Sequence, residues 1–387
     1  VESHATVTDP LFTPAAMTAV ELDARTVGLD AVLDTLVNRI TSAAADGSRP
    51  HTLLVAPQGG GKTHTLHAAI NRALADPATA ERVLPIAVPE DSLAIGSYTD
   101  FLVEIAAAAA PGLVETARDL RRLRDPVGIE SAVREVAGER MILLAVENLD
   151  RVFDAVGAAG QGSLRAWVET STAVLLFATV PRLFPGVSSR EYPWYGSFSI
   201  EWLPGLSIGD AVEVVARAAR RRDDAALADY VHSPDGKDRV SVIHRLLGGS
   251  PRAWHLLSDN VTAAALDALV PAVETVLDRL APQYQQRLWQ LPIGEQRLVV
   301  ELGRGWEPRT VSDLADAVGV SNQSASAALG RLAADRWVTS SKAADGDRRT
   351  SWYDLTDPLL RYHLRYRDGI ALTENDIRAA THLESRP

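Results

Sequence analysis

The run His51-Thr52-Leu53-Leu54-Val55-Ala56-Pro57-Gln58-Gly59-Gly60-Gly61-Lys62-Thr63 holds the residues best suited to chemistry in this chain. An apolar, strand-like stretch enters a glycine turn that ends in Lys-Thr and opens a helical pattern. That order of elements suits a phosphate cradle, because backbone N–H groups and a helix N-terminus both face an anion there. In such a loop Lys62 would reach the β- and γ-phosphates of a nucleotide, and the Thr63 hydroxyl would sit on Mg²⁺. The pattern G-x-x-x-x-G-K-[ST] is met at Gly61, Lys62 and Thr63, with Ala56 in place of the first glycine. Gly59 and Gly60 add backbone freedom where the loop needs it.

A phosphate loop needs an acid at the end of a neighbouring strand to hold Mg²⁺ through water. The stretch Met141-Ile142-Leu143-Leu144-Ala145-Val146 runs into Glu147-Asn148-Leu149-Asp150 and supplies one. With the loop, these residues resemble the AAA+/STAND branch of P-loop ATPases, in particular initiator-like and STAND-like members with a C-terminal winged helix. The family's strand usually ends in Asp-Glu-x-Asp or Asp-Asp. Aligned on that pattern, Glu147 stands where the metal-facing Asp would be, Asn148 where the water-activating Glu would be, and Asp150 matches the last acid. An amide can orient a water but cannot take its proton. The resemblance therefore implies slow hydrolysis, with ATP mainly a switch ligand, unless Glu147 or Asp150 compensates.

Further residues extend the resemblance. Thr179 ends the run Val174-Leu175-Leu176-Phe177-Ala178-Thr179 where the family places its sensor of the γ-phosphate. Gly249-Ser250-Pro251-Arg252 is similar to the lid motif, in which Arg252 would reach the γ-phosphate and couple lid angle to nucleotide state. The same four residues also suit an ordinary helix start, with Ser250 as cap and Pro251 in the first turn. Arg190 lies where initiator-like members carry an arginine finger for a neighbouring subunit, and Arg182 is the second candidate. Upstream, Glu21 to Leu29 resembles the segment that contacts adenine, which puts Val27 and Gly28 near the base. His64 follows Thr63 and joins the nucleotide-binding set. His64 and His67 share the helix after the loop, and the histidines form no metal spacing.

A second constellation sits near the C-terminus. Thr310 can cap a short helix, Gly319 supplies a turn, and Ser321 caps the next helix, a helix-turn-helix pattern. The second helix, from 322 to about 337, turns Ala325, Leu329 and Leu332 inward and leaves Asn322, Gln323, Ser326 and Arg331 outside. Residues 337–339 and 351–355 read as two strands joined by a wing that carries Lys342, Arg348 and Arg349. The whole is similar to winged-helix domains, whose DNA-bound forms place the second helix in the major groove and wing cations on phosphate. Asp345 and Asp347 in the same wing weigh against DNA. Residues 353–363 also resemble the end of the winged helix in prokaryotic STAND-like ATPases, with His363 structural.

The elements that must position these residues follow from periodicity. Helical spacing over 29–40 precedes a strand at 52–56 and a helix over 62–75. Strands are expected at 82–88, where Pro85 suits an edge, and at 141–146, 173–180 and 198–202. Helices are expected over 99–110, 112–123, 127–137 and 162–170. Strands separated by helices imply a parallel sheet covered on both faces. The expected organisation is an extension over 1–20, a P-loop ATPase core over 21–205, a helical lid over 206–290, a winged helix over 291–369 and a tail over 370–387. The fold class is α/β.

Composition bounds the rest. The chain has 387 residues, enough for two or three domains, with 46% apolar and 23% charged residues, as in ordinary globular proteins. Absence of cysteine removes disulfides, thiolate metal sites and cysteine nucleophiles. No Ser-His-Asp or nuclease constellation is present. The net charge of −11 speaks against a protein that simply coats nucleic acid, but residues 283–369 carry 12 Arg/Lys against 11 Asp/Glu. Any DNA contact belongs there and rests on a modest patch. No signal peptide or long apolar span is visible, and the cytoplasm is the expected location. The expected function is an ATP- and Mg²⁺-binding switch that self-associates with ATP and meets double-stranded DNA through the winged helix. The alternative is a nucleotide-gated signalling or defence scaffold that recruits a protein effector without DNA. A conventional motor fits less well, given Asn148.

Overall fold

The computed structural model describes residues 13–88, 95–170, 174–342, 350–367, 372–375 and 377. The chain divides into two compact units, Val1–Gly205 and Leu206–Pro387.

The first unit is built on five strands: β1 (Thr52–Val55), β2 (Val83–Val88), β3 (Met141–Val146), β4 (Val174–Val180) and β5 (Ser199–Trp202). All pair in parallel, in the order β2-β3-β4-β1-β5. β3 and β4 are buried at every residue, because helices cover both faces and leave no side for polar residues. Alternate residues feed two cores. Leu53, Val55, Ile142 and Leu144 pack with the helices Tyr98–Ala109, Pro126–Ala137 and Leu149–Thr170. Leu54, Leu143 and Phe177 pack with Asp30–Asp46 and Lys62–Leu74. β2 lies at one edge of the sheet, where Pro85 forfeits no interior ladder bond.

The strand order decides what the sheet can present. β4 lies between β1 and β3, with Leu54 opposite Thr179 and Val146 opposite Ala178. The C-terminal ends of β1, β3 and β4 therefore bring the glycine loop, the Glu147 turn and Thr179 together, the crevice where open α/β sheets hold ligands.

Three local features differ from the sequence expectation. Before residue 20 the described chain is part of the packing: Met17 is buried, and the turn Pro14–Ala16 lies against the helix Lys62–Leu74. Thr18 and Glu21 form a capping box that starts the helix Ala19–Arg25, so a boundary at 20 falls inside a helix. The helix expected from 162 begins at Leu149 and runs to Thr170, interrupted at Gly157, whose φ of 65° and ψ of 179° no helix accommodates. A short helix, Pro77–Arg82, starts where the Asp76 side chain accepts from Thr79 N–H.

The second unit opens with a helical segment, from Ile208–Arg221 through Pro234–Leu247 and Pro251–Ser258 to Val270–Trp289. The winged helix follows: helices Ile293–Arg304, Val311–Val318 and Asn322–Ala334, then strands and a closing helix, Pro358–Arg367. β6 (Arg309–Thr310), β7 (Val338–Lys342) and β8 (Ser351–Leu355) form an antiparallel sheet in the order β6-β8-β7. β6 was not expected; two residues are too few to show a period. Among the described residues no helix is long and apolar enough to cross a membrane.

Candidate functional site

The loop between β1 and its helix takes a shape that its glycines make accessible. Gly59 and Gly61 have φ of 79° and 84°, the left-handed region that a side chain disfavours. At Gly60 an added Cβ would lie 2.8 Å from the Ala56 Cβ and 2.9 Å from the Pro57 carbonyl oxygen. Gly61 caps the helix Lys62–Leu74 without a side-chain bond, so its first N–H groups face the loop. The Lys62 ammonium lies back across the loop, donating to the carbonyls of Ala56 at 2.8 Å and Pro57 at 3.1 Å.

Across the crevice, the Thr63 hydroxyl donates to Glu147 Oε2. Glu147 is a buried carboxylate, 8% exposed. Its other oxygen, Oε1, faces His67 Nε2 at 3.8 Å. Asn148 follows at φ 49°. Its backbone N–H donates to Thr179 Oγ1 at 3.2 Å, which ties the end of β3 to the end of β4. Asn148 O accepts from Arg151 N–H at 2.9 Å and opens the next helix. Asp150 lies in that first turn, where burial raises its carboxyl above the usual carboxylate range. Its Oδ1 is sealed from solvent with no hydrogen-bond partner among the described residues.

The upstream segment reaches the same helix. Thr26 donates its hydroxyl proton to the Leu22 carbonyl, so His64 Nε2, 2.9 Å away, must be the donor toward Thr26 Oγ1. Burial and then Arg25 push the His64 imidazole down to about 4, leaving it neutral at pH 7. This bond ties Thr26, which precedes buried Val27 and exposed Gly28 at φ 71°, to the helix that carries Lys62 and Thr63.

The crevice thus gathers Gly59, Gly60, Gly61, Lys62, Thr63, Glu147, Asn148 and Thr179, with the Val27–Gly28 segment tied to the same helix. The donor set fits Mg²⁺ and a polyphosphate: a hydroxyl and a carboxylate for a hard cation, backbone N–H groups and an ammonium for phosphate. Arg252 is in the second unit, in the first turn of Pro251–Ser258, where Ser250 does accept from Ala253 N–H and Pro251 opens the helix. Arg190 is exposed, its guanidinium 5.7 Å over the Tyr195 ring. His67 was placed on the helix after the loop by the sequence but given no part in the site. Its spacing of four from Thr63 was readable as a shared helix face, but its approach to Glu147 spans most of the core.

In the winged helix, Thr310 and Asp313 form a capping box, Gly319 ends the helix at φ 72°, and Ser321 caps the next by accepting from Ser324 N–H. Asn322, Gln323 and Ser326 are exposed on that helix, as is Lys342 at the end of β7. Arg331 is exposed as expected and also carries a partner: its Nε donates to Glu295 at 2.7 Å, and Glu295 is only 5% exposed. Most of the Arg331 side chain stays in solvent, 62% exposed, so the helix keeps this cation on its outer face with a carboxylate beside it. Arg348 and Arg349, with Asp345 and Asp347, lie outside the described residues.

Comparison with known proteins agrees with this architecture. The Aeropyrum pernix ORC1 protein, solved in complex with DNA, matches over 89% of this chain and 94% of its own, with a TM-score of 0.52 and 16% identity. The Aeropyrum pernix ORC2 protein, solved in ADPNP-ADP complexes, matches over 92% and 93%, with a TM-score of 0.60 and 14% identity. The fold is that of an AAA+ ATPase. The MarR family model matches residues 292–350, the segment that folds as the winged helix. No curated protein matches the sequence. The α/β core is thus followed in the chain by a helical segment and a C-terminal winged-helix domain.

Proposed function

We propose that this AAA+ protein is a nucleotide switch with slow hydrolysis, in which ATP and Mg²⁺ control self-association and the presentation of the winged helix to double-stranded DNA. The observation that carries the reading is the juxtaposition of Thr63 and Glu147 beside the glycine cradle, with an amide at position 148. Every group needed to hold Mg²⁺-nucleotide is present: loop N–H groups and Lys62 for phosphates, Thr63 and Glu147 for the metal. Bound Mg²⁺ would neutralise phosphate charge there. Asn148 can orient a water and cannot accept its proton. Thr179 accepts from Asn148 N–H, which suits it to register a γ-phosphate, and Arg252 would bring the lid to the same group. Arg190, or Arg182, would serve a neighbouring subunit. DNA contact would come from Asn322, Gln323 and Ser326 with Lys342, Arg348 and Arg349. The MarR-family match and the fold shared with an ORC1 protein in complex with DNA support this output. A cytoplasmic setting, where ATP is abundant, suits the switch.

A second reading is favoured by one observation. The second helix carries a single cation, Arg331, which pairs with Glu295, and its exposed start is short-chained and uncharged, a face suited to protein as much as to phosphate. The domain would then be a clamp or a docking module for an effector, in the manner of STAND proteins.

Sizing by light scattering with and without ATP-Mg²⁺ and duplex DNA, on wild type and Lys62→Ala, tests the proposal. Assembly with ATP that the variant loses supports the switch, and a shift that requires DNA makes the winged helix a reader. An ATP-bound monomer indifferent to DNA sinks the mechanism and leaves the protein-partner reading.

A further inference from the structure

Glu147 is one methylene longer than the aspartate that the family pattern places on the metal. The longer side chain has one more torsion to fix before an oxygen is held at a defined point, and a misplaced ligand weakens a metal site. The structure shows what could fix it. Thr63 and His67 stand four residues apart on the helix Lys62–Leu74, so they lie on one face, one turn above the other. Thr63 takes Oε2, and His67 Nε2 stands 3.8 Å from Oε1. A single helix, anchored at its N-terminus by the phosphate loop, therefore addresses both oxygens of one buried carboxylate. The glutamate chain is 7% exposed and the histidine 18% exposed, so little water competes for the contact.

We propose that His67 is a positioning residue for the metal site: it orients the long Glu147 side chain so that Oε2 stays beside Thr63. An aspartate at 147 would be too short to engage His67 and Thr63 together. The histidine and the glutamate thus form a matched pair in this chain. The inference rests on the Mg²⁺-nucleotide reading above, and its test separates the two.

Affinity for a fluorescent ADP analogue is measured in EDTA and in Mg²⁺ on the full chain. The proteins are wild type, His67→Leu, His67→Gln, Glu147→Asp and the double variant His67→Leu/Glu147→Asp. Leu fills the ring's volume without a donor, and Gln restores an N–H near the Nε2 position. Outer-shell partners of metal ligands are worth about 10–100-fold in affinity. Leu should therefore cut the gain from Mg²⁺ by about tenfold while leaving the EDTA affinity within about twofold. Gln should recover most of the gain. In the Glu147→Asp background the Leu substitution should have no further effect. Equal losses in EDTA and Mg²⁺, full additivity of the two substitutions, or a Gln variant no better than Leu would each overturn the proposal. A wild type that binds no nucleotide under either condition refutes the nucleotide reading itself.

Discussion

Placing a carboxylate at position 148 separates a missing proton acceptor from every other cause of slow hydrolysis. The backbone there is fixed from both sides: the Asn148 N–H donates to Thr179 Oγ1 at 3.2 Å, and its carbonyl accepts from Arg151 at 2.9 Å. A Glu at 148 must therefore adopt the same φ of 49°. Asn tolerates this region better than a long side chain does, and the left-handed conformation costs L-residues about 1–2 kcal/mol. A part of that, about 1 kcal/mol, is the expected loss of stability, which lowers the melting temperature of a unit this size by about 2–4 °C. A positioned general base contributes about 10²–10⁴-fold to rate, about 3–5 kcal/mol of barrier. The catalytic gain exceeds the strain, and the strain falls on folding and not on the reaction. Asn148→Glu should thus melt slightly earlier and release phosphate at least about 100-fold faster under saturating ATP-Mg²⁺. Asn148→Gln keeps the amide chemistry, shares the strain and should leave the rate alone. The assay is steady-state phosphate release beside thermal unfolding and nucleotide affinity. A folded Asn148→Glu protein with wild-type affinity and unchanged turnover would refute the assignment of position 148. Wild-type turnover above about one per second, within the ordinary enzyme range, would refute slow hydrolysis outright.

Other consequences are open to direct measurement. His51 Nδ1 accepts the Leu176 N–H at 3.1 Å, and burial, then Arg49, push the imidazole down to about 4. The folded pKa lies below the unfolded 6.5, so the stabilisation is whole above pH 6.5 and is lost as pH falls toward 4. Up to about 3 kcal/mol is involved, and urea unfolding of wild type and His51→Asn across that window should give converging curves; parallel curves would exclude the histidine as the cause. Gly60→Ala forces a Cβ to 2.8 Å from Ala56, an overpacking of about 1–3 kcal/mol. It should weaken nucleotide binding by about tenfold or more in a protein that still folds, and unaltered affinity would mean the loop is not the cradle. In the winged helix, Arg331→Ala strands the buried Glu295 carboxylate and should destabilise by about 1–3 kcal/mol, less than for a fully buried pair because the arginine is solvated. It should not change the salt dependence of DNA binding. Arg348→Ala with Arg349→Ala should instead lower the slope of log K against log salt by about 2 at unchanged stability; an unchanged slope would remove the wing from the interface.

The parts of the fold that were legible in sequence are those where one physical demand dominates. Six consecutive apolar residues before Glu147 had to be a strand covered on both faces, and β3 is buried throughout. Pro85 could be accommodated only where a ladder bond is dispensable, and β2 is an edge. Thr310, Gly319 and Ser321 each met a local capping demand, and each is a cap. What was missed depends on partners far along the chain or on mixed signals. Residues 149–161 are rich in alanine and glycine, which blurs helical periodicity, yet packing of Val152 and Phe153 makes them helix. Asp76 and Pro77 did carry a helix start, but six residues are too few to show a period. The pairing of Arg331 with Glu295 was not legible because the two lie in separate helices far apart in the chain. His67 gave no sign of Glu147 for the same reason.

The crevice itself argues that binding and turnover are separable in this chain. Binding depends on backbone: positive φ at Gly59 and Gly61, close approach at Gly60, and the N–H groups of one helix end. Those requirements are met whatever stands at the end of β3. Proton removal depends on one side chain, and Asn148 is an amide. The two nearby acids are poor substitutes, each for a different reason. Glu147 has Oε2 on the Thr63 hydroxyl and Oε1 toward His67, which directs it to a metal and not to a water. Asp150 has a raised pKa, which would suit a base, but its Oδ1 is sealed from solvent without a partner. On the proposed reading, Glu147 would serve Mg²⁺ while Asn148 offers the water no carboxylate, which would suit a site that holds ATP longer than it consumes it.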